Sequence, residues 1–271
     1  MSKIKNYIKS KITGFKNYIP NTLAVIKKDG KRELIRLTIR FIGISMLLWG
    51  SVGYVDDQQQ IQRNKDTIEI INEIKDTIGI NPDTKLFDWN AFNTKMVAQN
   101  SDYIGWIIFE GLEIEFPVVL GDDNSYYLKH TFTKGYSKYG SIFMDYRNKG
   151  DFSDNQVVIY GHNMRDGQMF GPVEKLKDPA YYAGHEQVTI QTPEGMRTYK
   201  IFAITLVDAD VTTISLPQNS TPVQEKIDYY KSKALYATDV DTSKSTQLLT
   251  LISCDDFVEN GRIFIHAILV E

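Results

Sequence analysis

The sequence has one cysteine, Cys254, in 271 residues. A single thiol excludes an internal disulfide, and with it the stapled frameworks of small secreted domains. Zinc-type Cys/His spacing, a Gly-rich phosphate loop, internal repeats and low-complexity tracts are also missing. Beyond the N-terminal region there is no basic patch of the kind that binds nucleic acid, so no nucleic-acid partner is expected. Histidine is sparse, with four residues: His130, His162, His185 and His266. What remains is ordinary globular composition, 42% hydrophobic and 24% charged, enough for one substantial domain with appendages.

Charge is unevenly spread. Residues 1–40 hold eleven Lys/Arg against two acids, a net of +9, and the remainder is net −12. Between them, Phe41 to Val55 carries no charge. Extended back to Leu34, that run reaches the roughly 20 residues of a membrane span. Arg36 and Arg40 then snorkel to the headgroups. The basic flank is N-terminal, so the N-terminus is expected in the cytoplasm and the chain beyond about residue 56 outside. The reading is a basic leader (1–33), a signal anchor (34–55), N-terminal helices (56–100) and a β domain (101–271). A cleaved signal peptide, with small residues at Ser51-Val52-Gly53, is the rival to an uncleaved anchor. Lysines 3, 5, 9, 11 and 16, set among isoleucines, allow the leader an amphipathic or a disordered state. An extracytoplasmic chain without disulfides suits a Gram-positive envelope.

Isoleucines at 61, 68, 71, 74 and 78 predict a helix over 56–79, and Trp89, Phe92 and Met96 a second over 88–100, capped by Asp88. From residue 101 the pattern changes to strands. Candidates are 103–109, 114–120, 140–145, 156–160, 187–192, 198–208, 248–253 and 263–270, many separated by turn formers. Eight strands with few helices predict a mainly β fold, a closed or nearly closed barrel. Residues 169–176 and 223–236 look helical, the latter within a long insertion of the kind that often lids a site.

The chemistry sits at strand ends. Cys254 ends the apolar run Leu248–Ile252, and Arg262 opens the next. Paired as a hairpin, those strands bring thiol and guanidinium together. Most free cysteines are small core hydrophobes, and from these features alone catalytic and structural roles weigh about equally. His162 likewise closes the apolar run Val157–Gly161. His266 lies inside a strand and reads as packed, while His130 and His185 lie in loop contexts without a legible partner. Cys, His and Arg at three strand ends suit acyl transfer without metal or cofactor. Thiolate attacks a carbonyl, imidazole moves protons, and guanidinium holds the oxyanion or the substrate backbone.

Several segments in order resemble the class B sortases, membrane-anchored cysteine transpeptidases of Gram-positive bacteria. They are Asp102–Ile107, Pro117–Leu120, Asp123–His130, Gly140–Asn148, Tyr160–Met164, and Thr250–Cys254 with Arg262. The resemblance implies the eight-stranded sortase barrel, two N-terminal helices and a helix in the loop before the cysteine strand. It implies Cys254 as nucleophile, His162 as the histidine after the Tyr-Gly pair, and Arg262 as the arginine opening the last strand. Asn124 and Leu128 match a segment that lines the sorting-peptide groove, and Asp255 a polar position near the substrate. Ser253 departs from the usual Thr, keeping the hydroxyl and losing a methyl. The implied reaction cleaves a C-terminal sorting signal at a Thr-Gly-like bond through a thioester. The acyl group passes to an amine of the peptidoglycan cross-bridge or, in the alternative, to a pilin lysine. A secreted protease with water as acceptor is the remaining alternative.

The topology is checked by adding protease to intact protoplasts. Removal of the chain beyond about residue 56, leaving a small basic fragment, is expected; complete protection of the C-terminal part excludes the anchor.

Overall fold

The computed structural model describes residues 30–80, 86–207, 221–254 and 262–270. The basic leader up to residue 29, Asp208 and Asp255 lie outside them. The chain divides between Gln59 and Gln60 into two compact units. One continuous helix, α1 (Lys31–Ile78), contributes to both. In the first unit every residue from Phe41 to Val55 is exposed, Trp49 at 82%. By length and composition α1 is apolar enough to cross a membrane.

In the second unit, eight strands close a barrel. They are β1 (Tyr103–Phe109), β2 (Ile114–Leu120), β3 (Ile142–Met144), β4 (Gln156–His162), β5 (Gln187–Thr192), β6 (Gly195–Val207), β7 (Leu248–Cys254) and β8 (Arg262–Leu269). The order around the barrel is β1-β2-β3-β4-β7-β8-β6-β5. Two neighbouring pairs are parallel, β2 with β3 and β4 with β7; the others are antiparallel. A parallel pair needs a crossover rather than a hairpin. The chain from residue 121 to 141 makes the first, and β5, β6 and helix α4 (Val223–Lys233) lie within the second.

Alternation sorts the side chains into two layers. Val157, Ile159, Leu249, Leu251, Ile263 and Ile265 fill the interior with residues from every other strand. Val158, Tyr160, Ile252 and Phe264 belong to an outer layer. That layer is covered by Ile71 of α1 and by Phe92 and Met96 of α2 (Trp89–Gln99). The Asp88 carboxylate accepts from Ala91 N at 3.0 Å and caps α2. β3 is shorter than its apolar pattern because the chain turns on both sides of it. Gly140 has φ +59° before it, and the Arg147 backbone N–H donates back to the Asp145 carboxylate at 2.9 Å after it. The helical pattern at 169–176 forms a 3-10 helix over Gly171–Lys177, followed by one short turn, α3 (Pro179–Tyr182).

Helix α4 packs Ile227 and Tyr230 on the outer face of β6, β7 and β8 with Phe202, Leu248 and Ile268. Below Tyr230 lies a buried polar network. His266 stacks on the Tyr230 ring at 3.7 Å and sits within hydrogen-bond distance of Thr205 (3.1 Å) and Thr250 (3.2 Å). Gln156 donates to Thr250 Oγ1 and to the Tyr230 hydroxyl. Burial pushes the His266 pKa down to about 3, so the folded chain holds a neutral imidazole.

The unfolded chain takes up that proton near pH 6.5, whereas the folded chain refuses it until about pH 3. Stability is therefore unaffected above pH 6.5 and falls as pH drops below it. At pH 5 this one group is expected to cost about 2 kcal/mol relative to pH 8. Denaturant titrations at both pH values should show a smaller pH difference in His266→Gln than in the native sequence.

Candidate active site

The parallel ladder between β4 and β7 is in register over its full length, from Gln156 against Leu248 to His162 against Cys254. Adjacent strands lie about 4.8 Å apart, so the two backbones come within side-chain reach at one end of the barrel. Antiparallel β8 enters at the same end. It pairs with β7 as far as Ile252 against Phe264, and Cys254 and Arg262 each lie two residues further toward that end. On its other side Arg262 pairs with Val207. Three strand ends thus converge.

His162 is buried, and its Nε2 lies 2.6 Å from the Leu128 carbonyl oxygen. A carbonyl only accepts, so Nε2 carries the proton in this bond. Gly161 precedes it because the Phe170 ring fills the barrel mouth there; a Cβ on Gly161 lies 2.6 Å from that ring. The loop 163–170 closes on itself where Phe170 N–H donates to the His162 carbonyl at 2.9 Å. Arg262 is half-buried. Its Nε is buried and has no hydrogen-bond partner among the described residues. An unmet buried donor costs about 1–3 kcal/mol.

The Leu128 carbonyl belongs to a 3-10 turn over Tyr126–Leu128. Tyr127, fully buried, anchors the turn through its hydroxyl, which donates to Asp102 at 2.6 Å and accepts from Asn100. From the other side Gly140 presses on it. A Cβ there lies 2.6 Å from the Tyr127 carbonyl oxygen and 2.7 Å from that of Leu128. Neither the carbonyl nor its glycine buttress was found from the sequence. A backbone acceptor leaves no residue-type signal, and one glycine among eighteen leaves little more.

Asn124 is engaged beside the site. Its Nδ2 donates to Asp145 at 3.0 Å and its Oδ1 accepts from Tyr146 N. Asp145 also receives the Arg147 guanidinium through two bonds, at 2.8 and 2.7 Å, and the Tyr160 hydroxyl at 2.8 Å. Burial pushes the Asp145 carboxyl up, but these donors outweigh it and hold the group below the ordinary carboxylate range. Ser253 is buried opposite Gly161 on β4, one position out of phase with 252 and 254, so it belongs to the interior layer. Of the expected site residues, the strand ends bring together His162, Cys254 and Arg262, with Leu128 touching His162. Asn124 stands in the Asp145 network.

His130 and His185 each stack on a tyrosine four residues earlier, Tyr126 and Tyr181, and bond its carbonyl. Among the described residues no group of three His, Cys, Asp or Glu is gathered that could hold a metal ion.

Known proteins resemble this chain in sequence and in fold. The sortase domain family matches residues 108–270. Sortase B of Listeria monocytogenes is 34% identical over 178 residues, 63% of this chain and 71% of that protein. The crystal structure of sortase B from Bacillus anthracis superposes with a TM-score of 0.67 at 25% identity, covering 79% of this chain and 99% of that one. A class B sortase of Streptococcus pyogenes, described as involved in pilus biogenesis, superposes with a TM-score of 0.60 at 29% identity, covering 65% and 97%.

The Gly140 buttress is tested against Gly167, whose φ of +80° is also positive but around which a Cβ meets nothing within 4 Å. Gly167→Ala should cost only the left-handed backbone strain, about 1–2 kcal/mol. Gly140→Ala adds a collision with two carbonyls and should exceed it by more than about 1 kcal/mol in chemical denaturation.

Proposed function

Because the chain belongs to the sortase family, in class B, and is therefore a cysteine transpeptidase, we propose that Cys254, His162 and Arg262 perform its chemistry. The observation that carries this assignment is the residue-for-residue parallel pairing that sets His162 against Cys254. The Cys254 thiolate attacks the scissile carbonyl carbon of a sorting signal, at a Thr-Gly-like bond, and the C–S bond forms as the carbonyl π pair moves to oxygen. Arg262, whose buried Nε has no partner among the described residues, donates to that oxyanion or to the peptide carbonyls beside it. The oxyanion collapses, the C–N bond breaks, and the amine leaves with a proton from His162. Nε2–H stays on the Leu128 carbonyl, so Nδ1 is the nitrogen through which the proton travels. In the second half an amine attacks the thioester, His162 takes its proton, and the thiolate is released.

Asn124, Leu128, Ser253 and Asp255 are assigned to the margin of the peptide groove. Leu128 stands nearest His162; Asn124 acts through the Asp145 network, and Ser253 from the interior layer beneath. The acceptor is assigned to the amine of a peptidoglycan cross-bridge. A pilin lysine is the second reading, favoured by the likeness to the Streptococcus pyogenes enzyme. Water as acceptor is the third. Residues 34–55 are assigned as an uncleaved anchor with the N-terminus cytoplasmic, 56–100 as N-terminal helices, and 101–271 as the catalytic barrel outside the cell.

A library of sorting peptides, read by mass spectrometry with and without amine, identifies signal and acceptor together. Cys254→Ala should abolish cleavage and the thioester adduct, because no second thiol exists. Arg262→Lys keeps the charge but loses the planar fork, and should lower turnover on the order of 10²-fold while iodoacetamide still labels Cys254. Near-normal turnover in Arg262→Lys means that charge alone suffices at this position. Lost labelling with an intact barrel means that Arg262 acts on the thiol.

A further inference from the structure

The N-terminal helix buries an unusual face. From Gln60 onward, four residues of α1 are buried, Gln60, Asn64, Thr67 and Ile71, at helical spacing, and three of the four are polar. A helix docked for adhesion buries aliphatic side chains, each contributing about 1.5–3 kcal/mol. A buried polar side chain contributes about 0.5–1.5 kcal/mol net when bonded, and costs about 1–3 kcal/mol when its partner shifts away. Such a face holds a geometry more than it holds on.

Each of these polar residues bonds a segment that flanks His162. Gln60 accepts through its side chain from Lys138 N at 2.8 Å and through its carbonyl from the Ser137 hydroxyl at 3.2 Å. Thr67 lies 2.9 Å from the Thr133 hydroxyl. The segment they hold leans on the turn below it: Ser137 N donates to Lys129 O, Ser141 N to Tyr127 O, and Gly140 abuts the Leu128 carbonyl. That carbonyl is the acceptor for His162. By a second route, Asn64 Nδ2 donates to Gln168 Oε1 at 2.7 Å. Gln168 lies in the loop that leaves His162 and returns to it through Phe170. Tyr139 joins the two routes, donating from its hydroxyl to Asp166 at 2.7 Å. The carbonyl that the imidazole bonds and the backbone of His162 itself are thus each tied to a segment keyed to one helix face.

We propose that the Gln60–Thr67 face of α1 is a positioning element for His162, holding the 131–141 segment and the 163–170 loop so that Nε2 stays on the Leu128 carbonyl. The helix that supplies this face is the one whose earlier half is the apolar stretch 34–55. The proposal rests on His162 being the residue that moves protons.

The test uses the full chain in detergent micelles, with 15N confined to its four histidines. In the native sequence neutral His162 should show a single Nε2–H tautomer. Asn64→Leu keeps the volume and removes the bond to Gln168. It should give a mixed or broadened His162 tautomer signal and lower kcat on the cleaved sorting peptide by about 10- to 100-fold, with KM within about twofold. The reciprocal exchange Asn64→Gln with Gln168→Asn preserves the combined reach of the two amides and should restore both readouts. Should Asn64→Leu fail to fold, Gln168→Leu breaks the same bond from the loop side and decides in its place. A native His162 signal in the variant overturns the proposal, whether or not kcat falls, as does failure of the reciprocal exchange to restore the signal. Turnover surviving in Cys254→Ala instead overturns the catalytic assignment, and the tautomer signal still reads the positioning by itself.

Discussion

Parallel pairing of β4 with β7 is the interaction from which the site follows. An antiparallel neighbour would send the end of β7 to the opposite rim from His162. A parallel one forces both strands to finish together, at the expense of a long excursion through β5, β6 and α4 before β7 can begin. The entropic penalty of closing so long a connection grows only with the logarithm of its length. The excursion is not idle chain, because it completes the barrel. Once β7 is placed, the antiparallel return of β8 delivers Arg262 to the same rim with no further constraint.

Adhesion and orientation are carried by different chemistry. Apolar packing fills the interior layer and joins Val158, Tyr160, Ile252 and Phe264 to Ile71, Phe92 and Met96 outside it, and burial of that surface holds the barrel closed. At the rim, where His162 and Arg262 lie, the contacts are hydrogen bonds with defined geometry: Leu128 to His162, Asn124 and Tyr160 to Asp145, Asn64 to Gln168. Apolar packing tolerates small displacements, whereas a proton-transfer group does not. The molecule uses the directional interaction where a displacement of one ångström matters.

Strands were the most legible part of the sequence. Alternation and apolar runs located all eight, and two of the three converging residues stood out because a run of apolar residues ended on them. β3 was overread because its flanks, Gly140 and Asp145, look like strand ends but are turns. Helix α1 was underread in a different way. Its isoleucine spacing predicted a helix over 56–79, yet the helix runs from Lys31 and its first buried positions are Gln60, Asn64 and Thr67. Polar residues that meet partners far along the chain carry no local signal of burial. The support of His162 was invisible for the same reason: its acceptor is a carbonyl, identical at every position.

The barrel is closed, with β1 bonded to β5 and no strand left at a border. Many proteins that grip an extended peptide do so by adding it to an open sheet, where main-chain bonds supply affinity regardless of sequence. That route does not exist around this barrel. A peptide arriving at the rim must take its hydrogen bonds from side chains and loops, and these differ from one rim to another far more freely than a ladder does. Selectivity and scaffold are thereby uncoupled: substitutions at the rim can redirect which peptide is accepted while the interior keeps its packing.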